Sequence, residues 1–137
     1  MKNVLITGGA GFIAHHIIAY MIKNTDWNII TIDRLDLSGN LNRLDDILSE
    51  FSVNDKKRLK IVFHDLKAEI NSQISAEVGK PDIILHLAAA SHVDRSIKYP
   101  LEFVNDNVLG TVNLLNFAKN LKSLEKFVYF STDEIFG

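Results

Sequence analysis

A doubly wound α/β domain on a parallel sheet of about five strands is the fold class this sequence predicts, and three observations lead to it. Five apolar runs, at residues 4–6, 28–32, 59–63, 82–87 and 127–130, are each too short to be a helix. Stretches with apolar residues at three- and four-residue spacing lie between them, giving the alternation βαβαβαβαβ. The first run passes directly into Thr7-Gly8-Gly9-Ala10-Gly11 and then into a helical pattern. With right-handed crossovers and such a turn after strand one, the strand order is 3-2-1-4-5. No composition shift, repeat or low-complexity segment marks a linker, so residues 1–137 read as a single domain.

The glycine turn carries the first functional expectation. A helix whose first turn lacks side chains presents unpaired N–H groups and the positive end of its dipole, where a phosphate can sit. Gly8 allows the turn, Gly11 lets the backbone approach a pyrophosphate, and Ala14 is the third small residue that close helix–strand packing needs. Phe12, Ile13, Ile17, Tyr20 and Met21 recur at helical spacing, which predicts that this face packs on the sheet. His15 and His16 are adjacent, hence on different faces, which argues against a shared metal.

Strand two ends at Asp33, some twenty positions past the turn. A carboxylate there can hydrogen-bond the ribose of NAD and repels the extra phosphate of NADP. Arg34 pulls the other way, although a solvated arginine is its commoner role. Leu41, Leu44, Ile47, Leu48 and Phe51 predict an amphipathic helix, and residues 54–58 a charged surface turn. Asp65-Leu66 follows strand three. Ile70, Ile74 and Val78 stripe the next helix, which Gly79-Lys80-Pro81 stops. Leu87-Ala88-Ala89-Ala90 ends strand four with room beside it. Pro100 opens a long helix whose expected buried side is Val104, Val108, Val112, Leu115 and Ala118. Gly110 inside it costs on the order of 1 kcal/mol against alanine, for which close packing is the expected reason.

Composition narrows the function classes. The chain has 15 basic and 17 acidic residues, a formal net charge of −2 and no cysteine. That excludes a disulfide framework, a thiolate nucleophile and a thiolate metal site, and leaves no nucleic-acid footprint. No run is long enough to span a membrane and no signal peptide precedes strand one, so a soluble cytoplasmic protein with no metal is expected.

Ligands of such a sheet bind beyond the carboxyl ends of the strands, where the strand order reverses. All five ends are therefore expected at one crevice. The last is chemically the richest: Ser131-Thr132-Asp133-Glu134 places a hydroxyl beside two carboxylates that can take opposite proton-transfer roles. Capping of a following helix is the structural alternative for the same residues.

Three stretches together resemble the extended short-chain dehydrogenase/reductase family: residues 7–14, the run His86-Leu87-Ala88-Ala89-Ala90-Ser91-His92-Val93-Asp94-Arg95-Ser96-Ile97, and Ser131-Thr132-Asp133-Glu134-Ile135-Phe136-Gly137. Within it they look like the nucleotide-sugar 4,6-dehydratases, whereas epimerases of the same fold usually differ at the end of strand five. The resemblance implies a Rossmann-like fold, NAD as cofactor and a dTDP-glucose-like nucleotide sugar as substrate. It implies catalysis by Thr132 at the C4 hydroxyl, Asp133 as acid and Glu134 as base. Gly8, Gly11, Phe12, Ile13, Asp33, Arg34, Asp65, Leu66, Leu87, Ala88 and Ala89 would serve the cofactor, with Ser91 and His92 toward the sugar.

The departures matter as much. Ala14 stands for a usual glycine, Ala90 for a glutamate, Asp36 and Asp106 for threonines, and Phe136 for a tyrosine. Two added carboxylates are expected to weaken a diphosphate's binding unless they face away. The family's tyrosine, followed four residues later by lysine, is missing: Asn24, Phe103 and Asp133 follow Tyr20, Tyr99 and Tyr129 at that distance. The expected identity is thus the NAD-binding part of such an enzyme, truncated relative to the family and inactive alone. The alternatives are a non-catalytic nucleotide-binding or interaction module, a subunit of a split enzyme, or an epimerase. Residues 127–130 are expected on an open sheet edge that favours self-association or a completing chain.

Overall fold

Unbroken runs of valine, leucine and isoleucine suit strands covered on both faces, and here they form the centre of the sheet. The computed structural model describes residues 1–36, 39–132 and 135. Strands β1 (Asn3–Thr7), β2 (Asn28–Asp33), β3 (Leu59–Phe63), β4 (Ile83–His86) and β5 (Lys126–Tyr129) are all parallel, in the order β3-β2-β1-β4-β5. This is the predicted order. The register sets Thr7 opposite Ile32 on one side and His86 on the other, so three strands end level with one another. The connections are α1 (Ala14–Asn24), α2 (Leu41–Leu48), α3 (Val53–Lys56), α4 (Ser72–Val78), α5 (Val93–Lys98) and α6 (Pro100–Val104), then a π-helical turn (Asn105–Leu109) and α7 (Gly110–Lys119).

Alternation along β1 divides the core between the two faces of the sheet. Val4 and Ile6 pack with Ala14, Ile18 and Ile22 of α1 and Leu44 of α2. Leu5 packs with Ile84, with Val78 of α4, and with Leu114, Phe117 and Ala118 of α7. Both helical faces drawn from spacing need correction. On α1 the buried side is Ala14, His15, Ile18 and Ile22; Ile17 and Met21 only flank it, and Phe12, Ile13 and Tyr20 are exposed. On the long helix Gly110, Leu114, Phe117 and Ala118 are buried, whereas Val104, Val108, Val112 and Leu115 are exposed. Each helix has two apolar stripes, so periodicity finds a helix without saying which stripe meets the sheet.

The π-helical turn is not the cause of the second correction, because Val104 ahead of it and Val112 and Leu115 beyond it are exposed alike. Beyond it Gly110 lies against the crossover from β3, and a Cβ there would stand 3.3 Å from Cβ of Leu66. Close packing is therefore the reason for this glycine. The charged turn expected at residues 54–58 contains the single turn of α3, capped by Ser52, whose hydroxyl accepts from the N–H of Asp55. Helix α5 was not expected from the sequence. Among the described residues no helix is long and apolar enough to cross a membrane.

Candidate functional site

The turn after β1 is tight because the backbone itself closes it. Gly8 has φ +74°, its N–H donates to the Ile32 carbonyl at 2.8 Å, and its own carbonyl accepts from the Gly11 N–H at 2.9 Å. A Cβ on Gly8 would stand 3.0 Å from Cα of Ala88, so glycine is required here by conformation and by space. Gly9, to which the motif reading gave no role, is buried in the turn. A Cβ there would stand 1.9 Å from the Thr31 hydroxyl, which donates to the Ile6 carbonyl. Helix α1 then starts with no side-chain cap and no acidic residue in its first turn. Its positive end is left for an anion.

Asp33 ends β2 beside this turn and is 8% exposed. One carboxylate oxygen accepts from the Ala10 N–H at 3.0 Å and the other from the Leu35 N–H at 2.7 Å. Arg34 is not the solvated arginine that sequence suggested. Its Nη1 and Nη2 donate to the two oxygens of Asp106 at 2.6 and 2.9 Å, and its Nε donates to Asp36 at 2.6 Å. Asp65 stands 3.9 Å away, and Lys67 reaches both Asp65 and Asp106. The hydrogen bond to Asp106 raises the Arg34 pKa well above its ordinary value. Burial pushes Asp106 upward, but Arg34 and Lys67 outweigh it and hold this carboxyl below the usual range. The two carboxylates that depart from the family pattern line the crevice, and there they are tied to cations.

A second network joins the ends of β1 and β4 to the long helix. Thr7 Oγ1 accepts the N–H groups of Leu87 and Ala88, both at 3.1 Å, and lies 2.7 Å from Nδ1 of His86. Having accepted twice, the hydroxyl donates to Nδ1, so the ring proton sits on Nε2 and is given to Thr111 Oγ1 at 2.9 Å. Thr111 in turn donates to the Asn107 carbonyl in the π-helical turn. The Asn107 side chain pairs with both backbone groups of Ala90. His86 is 2% exposed, and burial pushes it down to about 4. Thr111 and Asn107 carried no motif signal, since His86 and Ala90, which they meet, are 25 and 17 residues away.

A crevice opens where these strand ends meet. Gly8, Gly11, Asp33 and Arg34 line it, with Asp65 and Leu66 from the end of β3 and Leu87, Ala88, Ala89, Ser91 and His92 from beyond β4. Arg95, Glu102 and Phe103 also line it, brought in by α5 and α6. Phe12 and Ile13 are exposed and are not part of the lining. Among the described residues four strand ends line this crevice. Thr132 is exposed and does not line the crevice, while Asp133 and Glu134 lie outside the described residues. The rings of His15 and His16 stack 3.9 Å apart, yet among the described residues no group of three or more ligands could hold a metal.

The sequence profile of the GDP-mannose 4,6 dehydratase family matches residues 5–137. The dTDP-D-glucose 4,6-dehydratase of Dictyostelium discoideum is 42% identical over 138 residues, covering 100% of this chain and 30% of that protein. Solved structures that share the fold include a dehydratase and an epimerase. The dTDP-glucose 4,6-dehydratase of Bacillus anthracis str. Ames in complex with NAD has a TM-score of 0.78 at 31% identity, covering 100% of this chain and 39% of that one. The UDP-Glc/GlcNAc 4-epimerase of Campylobacter jejuni has a TM-score of 0.84 at 28% identity, with 100% and 39% covered. The chain spans less than two-fifths of the length of these relatives. Their likeness agrees with the extended short-chain dehydrogenase/reductase pattern of the three motifs. With that profile matching nearly its whole length, the chain belongs to the GDP-mannose 4,6 dehydratase family.

Proposed function

We propose that this chain is the NAD-binding part of a nucleotide-sugar 4,6-dehydratase acting on a dTDP-glucose-like substrate, and that it is inactive alone. The observation that carries the reading is the crevice that sets the Gly8 turn and the Asp33 carboxylate side by side. The residues fit a dinucleotide. A Cβ at Gly8 would collide with Ala88, α1 offers an uncapped end to a pyrophosphate, and Asp33 suits a ribose with a free 2′-hydroxyl. The dehydratase from Bacillus anthracis, described as an NAD complex, supports the choice of cofactor.

The fold does not separate a dehydratase from an epimerase, because both kinds of neighbour superpose on it. The sequence does favour the first. Thr132-Asp133-Glu134 follows β5 in the sequence, and the Dictyostelium discoideum dehydratase is more similar in sequence than the epimerase. Bound NAD would supply a hydride acceptor for C4 of the sugar and return that hydride to C6. By the resemblance, Thr132 would hold the C4 hydroxyl, Glu134 would remove the C5 proton, and Asp133 would protonate the hydroxyl leaving C6. Ser91 and His92 would face the sugar. No tyrosine among these residues is followed four residues later by lysine, so this stretch by itself does not supply that base. The open edge of β5 is proposed to take a second copy or a completing chain.

Calorimetric titration of the chain with NAD tests the reading, and saturable binding is expected. The absence of heat at millimolar NAD would overturn it. Incubation with dTDP-glucose and NAD is expected to yield no 4-keto-6-deoxy sugar, and its formation would disprove inactivity of the chain alone.

A further inference from the structure

We infer that Asp106 is a positioning residue that sets cofactor choice by holding Arg34 away from the ribose end of the crevice; this rests on the dinucleotide reading above. Arg34 directly follows the ribose carboxylate Asp33, the place from which an arginine can accommodate a 2′-phosphate. Here its donors are taken. The two terminal nitrogens face both oxygens of Asp106 at 2.6 and 2.9 Å, and the third donor group meets Asp36 at 2.6 Å. A planar guanidinium gripped at both edges has no fork left for a phosphate. The Asp106 side chain is 13% exposed and that of Arg34 31%, so water screens the pair only in part.

The charges act in the same direction. Arg34 and Lys67 stand among Asp33, Asp36, Asp65 and Asp106, a cluster with more carboxylates than cations. A phosphomonoester adds roughly −1.5 to −2 at neutral pH and would enter against that excess. NADP is therefore disfavoured twice, by the carboxylates and by the engagement of the arginine. Loss of the Asp106 charge changes both, since it frees Nη1 of Arg34, leaves Nη2 and Nε to Asp36 alone, and removes one anion.

The test is titration of the chain with NAD and with NADP, in the original sequence and in Asp106→Asn and Asp106→Thr variants whose folding is checked by circular dichroism. Threonine is the residue usual at this position in the family that the sequence resembles. The original chain is expected to prefer NAD. Either variant is expected to shift the affinity ratio toward NADP by about tenfold, the scale of one charge-assisted hydrogen bond. Asp106→Glu is expected to keep the NAD preference, and Arg34→Ala added to Asp106→Asn to abolish the gain. An unchanged ratio in both folded variants, or a gain that survives without Arg34, would overturn the inference while NAD binding stands. Binding of neither dinucleotide by the original chain would overturn the cofactor reading and this inference with it.

Discussion

Thr7 and His86 show how much of the site rests on two buried side chains that do not line the crevice. The Thr7 hydroxyl satisfies the N–H groups of Leu87 and Ala88 and gives its proton to His86. Replacing Thr7 by valine keeps the shape and leaves three polar partners without that hydroxyl. A loss of about 2 to 4 kcal/mol in urea unfolding is expected, with serine restoring most of it. His86 adds a dependence on acid. Its pKa is about 4 when folded and about 6.5 when unfolded, so between these values the unfolded chain binds more protons. Stability is full above about pH 6.5 and is lost as the pH falls toward 4. The contribution is about 2 to 3 kcal/mol. His86→Gln should therefore lose less stability than the original chain between pH 7 and pH 4.5. Equal losses in the two proteins would assign the acid sensitivity to other groups.

Among the elements, the end of α1 shows what sequence could not convey. Arg58 sits in a stretch that reads as a charged surface turn, yet its guanidinium donates to the carbonyls of Ile22, Thr25 and Trp27 and to the Asp55 carboxylate. It joins the carboxyl end of α1 and the approach to β2 to the start of β3. Lysine keeps the charge but cannot span these acceptors. Arg58→Lys is expected to lower the urea midpoint by an amount worth about 1 to 3 kcal/mol. An unchanged midpoint would show that the carbonyls find other donors. The strands were legible because apolar runs bounded by turns have no other good use, and the β1 turn because its glycines are conformational necessities. Asp33 was legible from its distance to that turn. Arg34 was misread because its partner Asp106 is 72 residues away, and the buried stripe of α7 because the long helix carries a second apolar stripe. Helix α5 is only six residues long and starts without a side-chain cap, so it gave little signal. What the sequence withheld was which face packs and which charges pair, both properties of the assembled sheet.

For the whole molecule the decisive feature is that the sheet is covered on both faces but ends at β5. Among the described residues β5 pairs with β4 alone, and Phe127 is drawn into the core while Val128, Tyr129 and Phe130 are 40%, 53% and 41% exposed. An apolar edge strand presents unpaired backbone groups beside surface that gains from leaving water. Such an edge recruits a further strand, and in a solution of the pure chain the available one is a second copy. Sedimentation velocity over a range up to tens of micromolar, on the order of routine loadings, should show association that rises with concentration. Val128→Lys places a charge on that edge and should shift the chain toward monomer without lowering its melting temperature by more than about 2 °C. A monodisperse monomer in the original chain would remove the edge as an interaction site. Association that Val128→Lys leaves untouched would instead move the contact to the outward stripe of the long helix, where Val104, Val108, Val112 and Leu115 lie exposed.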